Sequence, residues 1–122
     1  MHRYDFEQWL DAWTRAWAFR DLDAFLALCT RDVLWHRDPF STPLHGHAAV
    51  YAALSEAFEA LQTVQFVPMA IAFEDGHGVA KWAARLTPRN GAPMTLDGVL
   101  VAEFDETGTC RKLEEWWHAQ RD

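Results

Sequence analysis

Three turn signals cut the second half of this chain at such even intervals that few folds remain open to it. Asp75-Gly76-His77-Gly78, Pro88-Arg89-Asn90-Gly91 and Asp105-Glu106-Thr107-Gly108 separate four apolar-rich runs: Val64 to Phe73, Val79 to Thr87, Met94 to Phe104 and Thr109 to Trp117. Strand-length runs joined by Gly-containing turns pair with their neighbours, so the expected product is a meander of antiparallel hairpins.

The first half carries a different period. Phe6, Trp9, Leu10, Trp13 and Trp17 recur three and four residues apart, which places them on one face of a helix from Asp5 to Arg20. Asp5 is the expected cap, Gln8 stands three residues on as in a capping box, and Tyr4 is in position to staple onto Trp9. A short second helix is expected over Asp21 to Cys29, with acids in its first turn to suit the helix dipole. Val33 to Arg37 reads as a strand that stops at Asp38-Pro39, because proline disfavours helix in the residue before it. A loop from Asp38 to Gly46 follows, and Val50, Leu54, Phe58 and Leu61 mark a third helix from about His47 to Leu61. Helices grouped ahead of a sheet predict an α+β layer fold in a single domain, residues 1–122.

Composition limits what such a domain binds. Half of the 122 residues are hydrophobic and 24% are charged, enough apolar content to offset the entropy of ordering the chain. A net charge of -7 without a basic cluster argues against nucleic acid and against anionic membranes. No apolar run reaches the length of a membrane span and Met1 to Asp5 lacks the apolar stretch of a signal peptide, so the expected location is cytoplasmic. Cys29 and Cys110 follow no metal-ligand spacing and read as buried small hydrophobes. Seven Trp and eight Phe exceed what an ordinary core of this size requires, and surplus aromatic surface lines pockets or interfaces.

The serial order carries a family resemblance. A helix, then Asp21-Leu22-Asp23-Ala24-Phe25, then a strand ending in Asp38-Pro39, then His45-Gly46-His47-Ala48-Ala49-Val50 opening a helix, resembles SnoaL-like proteins and ketosteroid isomerases of the nuclear transport factor 2 superfamily. The ending, Leu96 to Asp105 through Gly108 to Glu115-Trp116-Trp117, is similar to the last two strands of that family. The resemblance implies a cone-shaped, cystatin-like arrangement: a curved antiparallel sheet wrapped around the helices, with a ligand cavity at its open end. The superfamily hosts isomerases, polyketide cyclases, dehydratases, epoxide hydrolases and inactive binding proteins, so fold alone does not name a reaction.

Within that resemblance Asp38 matches the general base of ketosteroid isomerases, where a pocket desolvates the carboxylate and raises its pKa. The alternative is that Asp38 caps its own turn through backbone N–H groups. His36, two residues away in extended chain, is a candidate partner of Asp38 or of a substrate. The isomerases' oxyanion hole of a Tyr and a protonated Asp aligns with Trp13 and Leu100 here. One indole donor and no second donor point away from steroid isomerisation and leave cyclisation or dehydration open. Trp13, Trp17, Trp82 and Ala84 are expected pocket or core residues, and Tyr51 a residue of the cavity mouth. Leu113, Glu115 and Trp117 share a strand face that the alignment turns inward. Glu115 is then a second catalytic carboxylate, or a partner for Arg85 or a protonated histidine; a slip of one residue would expose it and bury Glu114.

His36 with Asp38 and His45 with His47 match no strong zinc motif, and no metal is expected. No phosphate loop, nucleophile elbow or reactive-cysteine context occurs, and no cofactor is expected. The expected function is binding of a small, largely apolar ligand, either as a cofactor-independent isomerase, cyclase or dehydratase acting on a carbonyl or polyketide-like compound, or as a non-catalytic accessory protein. A homodimer is expected through the outer sheet face, with Val79, Val99, Val101 and Trp116 as its candidates.

Overall fold

Helical periodicity in the first half and alternation in the second both appear in a computed structural model that describes residues 1–122. In chain order the elements are α1 (Arg3–Ala18), α2 (Leu22–Ala27), β1 (Cys29–His36), β2 (Leu44–His45), α3 (Gly46–Ala60), β3 (Leu61–Glu74), β4 (His77–Pro88), β5 (Met94–Phe104) and β6 (Cys110–Arg121). The six strands form one curled, unclosed sheet in the order β2-β1-β6-β5-β4-β3. The three helices complete the α+β architecture.

The consecutive strands β3 to β6 pair antiparallel, as their turns require. Asp75 and Gly76 close the first hairpin with φ of 50° and 74°, the left-handed pair that a two-residue turn between twisted strands needs. One expectation is corrected: the sheet is not wholly antiparallel, because β1 lies parallel to β6, with Trp35 opposite Leu113 and His36 opposite Glu114. Turn signals specify only strands adjacent in sequence, whereas this pair is brought together across the whole meander. The loop before α3 also holds β2, two residues paired with Leu34 and Trp35.

The start of α1 is corrected as well. The helix begins at Arg3, and the backbone N–H of His2 donates to Asp5 Oδ2 at 2.7 Å, so Asp5 serves inside the first turn rather than as the cap. Tyr4 is exposed and makes no staple. Asp21 does cap α2, accepting from the Ala24 N–H at 3.0 Å.

Phe6, Trp9, Leu10 and Trp13 of α1 are buried against the inner sheet face, where Ala80, Trp82, Leu100, Ala102 and Leu113 form the other half of the core. Aromatic rings meet edge to face: Trp9 on Phe104 at 5.3 Å and Trp13 on Phe66 at 4.7 Å between centroids. Val50, Leu54 and Phe58 carry α3 onto the same core. Both cysteines are buried and free, and desolvation pushes the Cys29 thiol up to about 12. No helix is long and apolar enough to cross a membrane.

Candidate active site

One end of the core is left unfilled. A cavity of about 810 Å³ opens between α3, the curled sheet and the segment that follows β1, a volume suited to a small organic molecule. Its α3 side is made by Ala53, Ala57 and Ala60, which recur at four and three residues and so share a helix face. Alanine ends at Cβ, so this face approaches the sheet without filling the space. Across from it stand Trp17, Phe66, Trp82 and Leu86. Phe66 lies between the two indoles, 5.3 Å from Trp17 and 4.9 Å from Trp82 between centroids. Gly98, beside Trp82 on β5, makes room for its ring: a Cβ there would stand 2.4 Å from Trp82 Cζ2.

Polar groups enter this apolar wall from two places. The first is β6, where alternation turns Leu113, Glu115 and Trp117 to the inner face and leaves Glu114 to the outer one. Glu115 is only 8% exposed. Trp35 on β1 donates its indole N–H to Glu115 Oε2 at 3.0 Å. Loss of water outweighs that bond and the charge of Arg37, and the carboxyl is raised from an ordinary 4.5 to about 7. Oε1 has no protein partner. Arg85, weighed as a partner for this acid, points to the other face and bonds Thr95 and Asp122.

The second is the segment Arg37 to Thr42 at the cavity mouth. Asp38 borders the cavity, but its carboxylate is turned onto its own loop. Oδ1 accepts the N–H groups of Phe40 at 2.9 Å and Ser41 at 2.8 Å, and Oδ2 accepts the Ser41 hydroxyl at 2.6 Å. Those bonds favour the charged form and hold Asp38 below the usual carboxylate range. This is the turn-capping arrangement of the two weighed for it.

The other expected residues divide. Trp17, Trp82, Asp38, Glu115 and Trp117 line the cavity together. Trp13, Ala84, Leu100 and Leu113 do not; they are buried in the core beneath it, because the inner faces of α1 and the sheet meet there with no space between. Tyr51 is 47% exposed on α3 and does not line the cavity, because a two-residue offset from Ala53 turns it to the far side of the helix from the alanine face. His36 alternates to the face of β1 opposite Trp35 and does not meet Asp38 or the cavity. His47 bonds the Cys29 carbonyl at 2.9 Å, and no three potential metal ligands converge anywhere.

Sequence reasoning passed over Trp35, Arg37 and the three alanines. A signal was present in Val33, Trp35 and Arg37, which share a strand face by their spacing of two. The alanine triplet has no signal of its own, since short residues on a helix face normally mean close packing.

Comparisons with known proteins agree with this architecture. The chain is similar to a structure of an NTF2-like protein of unknown function from Burkholderia pseudomallei K96243, at 24% identity and a TM-score of 0.81, covering 93% of this chain and 91% of that one. It is also similar to a putative aromatic ring hydroxylase from Novosphingobium aromaticivorans, at 17% identity and a TM-score of 0.83 over 97% and 92% of the two chains. The epoxide hydrolase/cyclase-like enzyme SalBIII, of pyran ring formation in the polyether salinomycin, superposes with a TM-score of 0.84 at 15% identity over 95% of each chain. At these identities the likeness is one of fold. A search of curated proteins found no match. The sequence itself matches the SnoaL-like domain over residues 7–112, and with the shared fold this means that the chain belongs to the SnoaL-like family.

Proposed function

We propose that this chain is a cofactor-independent enzyme that moves a proton on a small, largely apolar carbonyl or polyketide-like compound, as an isomerase, cyclase or dehydratase does, with Glu115 as the proton-transfer group. The observation that carries the reading is the placement of Glu115: one buried carboxyl in the wall of an apolar cavity, held by a single indole N–H and raised to about 7. A base works best when its pKa lies near the working pH, and a carboxyl of ordinary acidity falls short of that. Trp35 fixes Oε2, so Oε1 is the atom free to take a proton from carbon adjacent to a carbonyl. The same atom returns it elsewhere on the substrate, which balances an isomerisation without a cofactor. In a dehydration the proton goes instead to the departing hydroxyl as water leaves.

Asp38, the expected base, serves in this reading as the anchor of the mouth loop. SalBIII, a cyclase-like enzyme on the same fold, supports a ring-forming or eliminating reaction as the class to test first. The direct experiment is solvent deuterium incorporation α to the carbonyl of cyclic ketones and lactones that raise the melting temperature. Exchange that requires Glu115 supports the proposal. Binding without any exchange would instead support a ligand-binding accessory protein.

We further propose that the chain forms a homodimer through the outer sheet face. Val79 pairs with Val101, and Val99 with Trp116; Val79 and Trp116 are exposed, and Trp116 also borders the cavity. Light scattering at micromolar concentration is expected to give twice the 14.0 kDa chain mass; a monomer mass would remove the dimer.

A further inference from the structure

The cavity mouth holds one cation without a partner. Of the 11 Lys and Arg residues, Arg31, Arg37 and Arg121 alone form neither an ion pair nor a hydrogen bond, and of these only Arg37 borders the cavity. Its neighbour Asp38 is the obvious counter-ion but is occupied by Phe40 and Ser41 and forms no ion pair with it. The other cavity acid, Glu115, is bonded to Trp35 and not to Arg37. Arg37, an exposed residue, thus presents a free guanidinium at the mouth of a largely apolar cavity, in a protein whose net charge is -7.

We propose that Arg37 is an anion-recognition residue and that the ligand of this cavity is an organic acid: a flat aromatic or polycyclic body carrying one carboxylate. The inference rests on the reading of the cavity as the active site and narrows its substrate class. The body fits the slot between the alanine face of α3 and the rings of Trp17, Phe66 and Trp82. The carboxylate meets the guanidinium at the mouth, where two parallel N–H bonds fix its orientation as well as its place. One guanidinium and one imidazole, of His118, beside two acids suit a singly charged group better than a phosphate dianion. Binding by the carboxylate at the mouth directs the far end of the body inward. There Glu115 waits for a proton on carbon.

The test uses a matched pair of probes, 2-naphthoate and 2-naphthamide, titrated calorimetrically at pH 8 and low salt into wild type, R37Q and R37K. The acid is expected to bind wild type about tenfold more tightly than the amide, as a bidentate charge-assisted pair gives. R37Q should lose that preference while binding the amide as wild type does, and R37K should keep part of it. Equal affinity for acid and amide in wild type, or a preference that survives in R37Q, overturns the inference and leaves the cavity reading standing. Failure of both probes to bind wild type overturns both together. Deuterium exchange that proves independent of Glu115, alongside an Arg37-dependent preference for the acid, removes the catalytic reading and leaves Arg37 as the anchor of a binding pocket.

Discussion

Asp38 and Glu115 border the same cavity and carry the same functional group, yet their surroundings push them in opposite directions. Asp38 sits in a loop whose backbone has no sheet or helix to bond to, so its carboxylate collects two N–H groups and a hydroxyl and stays charged. Glu115 sits on a strand whose backbone is already paired on both sides, so its carboxylate is left with one indole donor and an apolar wall. Short-range bonding makes a strong acid; desolvation makes a weak one that can take up a proton near neutral pH. The lesson is that proximity to a cavity does not make a base. What matters is whether the backbone nearby needs the carboxylate for itself.

The largest effect should come from E115Q. The amide keeps the shape and the Trp35 bond but cannot accept a proton, and proton exchange should fall by about 10² to 10⁴-fold. The readout is the deuterium incorporation rate at saturating ligand, with the ligand's thermal shift showing that binding persists. An exchange rate within a few-fold of wild type would erase the contrast between the two acids.

Stability against pH offers the next largest difference, and the two acids should bend it in opposite senses. Glu115 titrates near 4.5 when unfolded and near 7 when folded, so between those values the native state holds a proton that the unfolded state has released. Its contribution is fully present below 4.5 and is lost as pH rises through 7, on the order of 3 kcal/mol in all. Asp38 is lowered, so its contribution is present above its unfolded value and disappears as pH falls through the folded one. Urea unfolding from pH 3 to 8 should therefore show E115Q removing the alkaline decline and D38N blunting only the acid one. If E115Q declines as wild type does, Glu115 is not the desolvated group.

W35F sharpens the comparison by removing the one bond that favours ionised Glu115. The exchange–pH profile should move to higher pH by up to about one unit, since a lost hydrogen bond of ~1 kcal/mol is worth somewhat less than that. A profile that does not move would mean that the Trp35 bond has no hold on the carboxylate.

The smallest changes are expected at Asp38. D38N still accepts from backbone N–H and should leave exchange within about twofold of wild type, as surface substitutions do. D38A should loosen the mouth loop, seen as faster amide exchange at Phe40 and Ser41. A large loss of activity in D38N would return the base to Asp38.

Much of the architecture was legible because its signals are local. The 3.6 period of Phe6, Trp9, Leu10 and Trp13 and the Gly-bearing turns after Phe73, Thr87 and Phe104 each act within a few residues, and the elements stand where these place them. Helix boundaries shifted by two or so residues where competing caps were available, as at His2 and Asp5. The inward turn of Glu115 was legible given the register of β6, because alternation leaves only two choices. Arg37 was legible as a face-mate of Trp35, but nothing local says which charges will lack a partner.

By itself, then, the sequence determined the order of elements, the face each strand residue shares and the surplus of aromatic rings, since those depend on backbone periodicity and side-chain type. Only the tertiary structure decided which carboxylate loses its water. That outcome hangs on the parallel pairing of β1 with β6, which brings Trp35 to Glu115 across 80 residues of chain. It hangs equally on the three alanines of α3, which leave a cavity where larger residues would have made core. Desolvation is a property of everything packed around a group, so no run of neighbours in sequence can specify it.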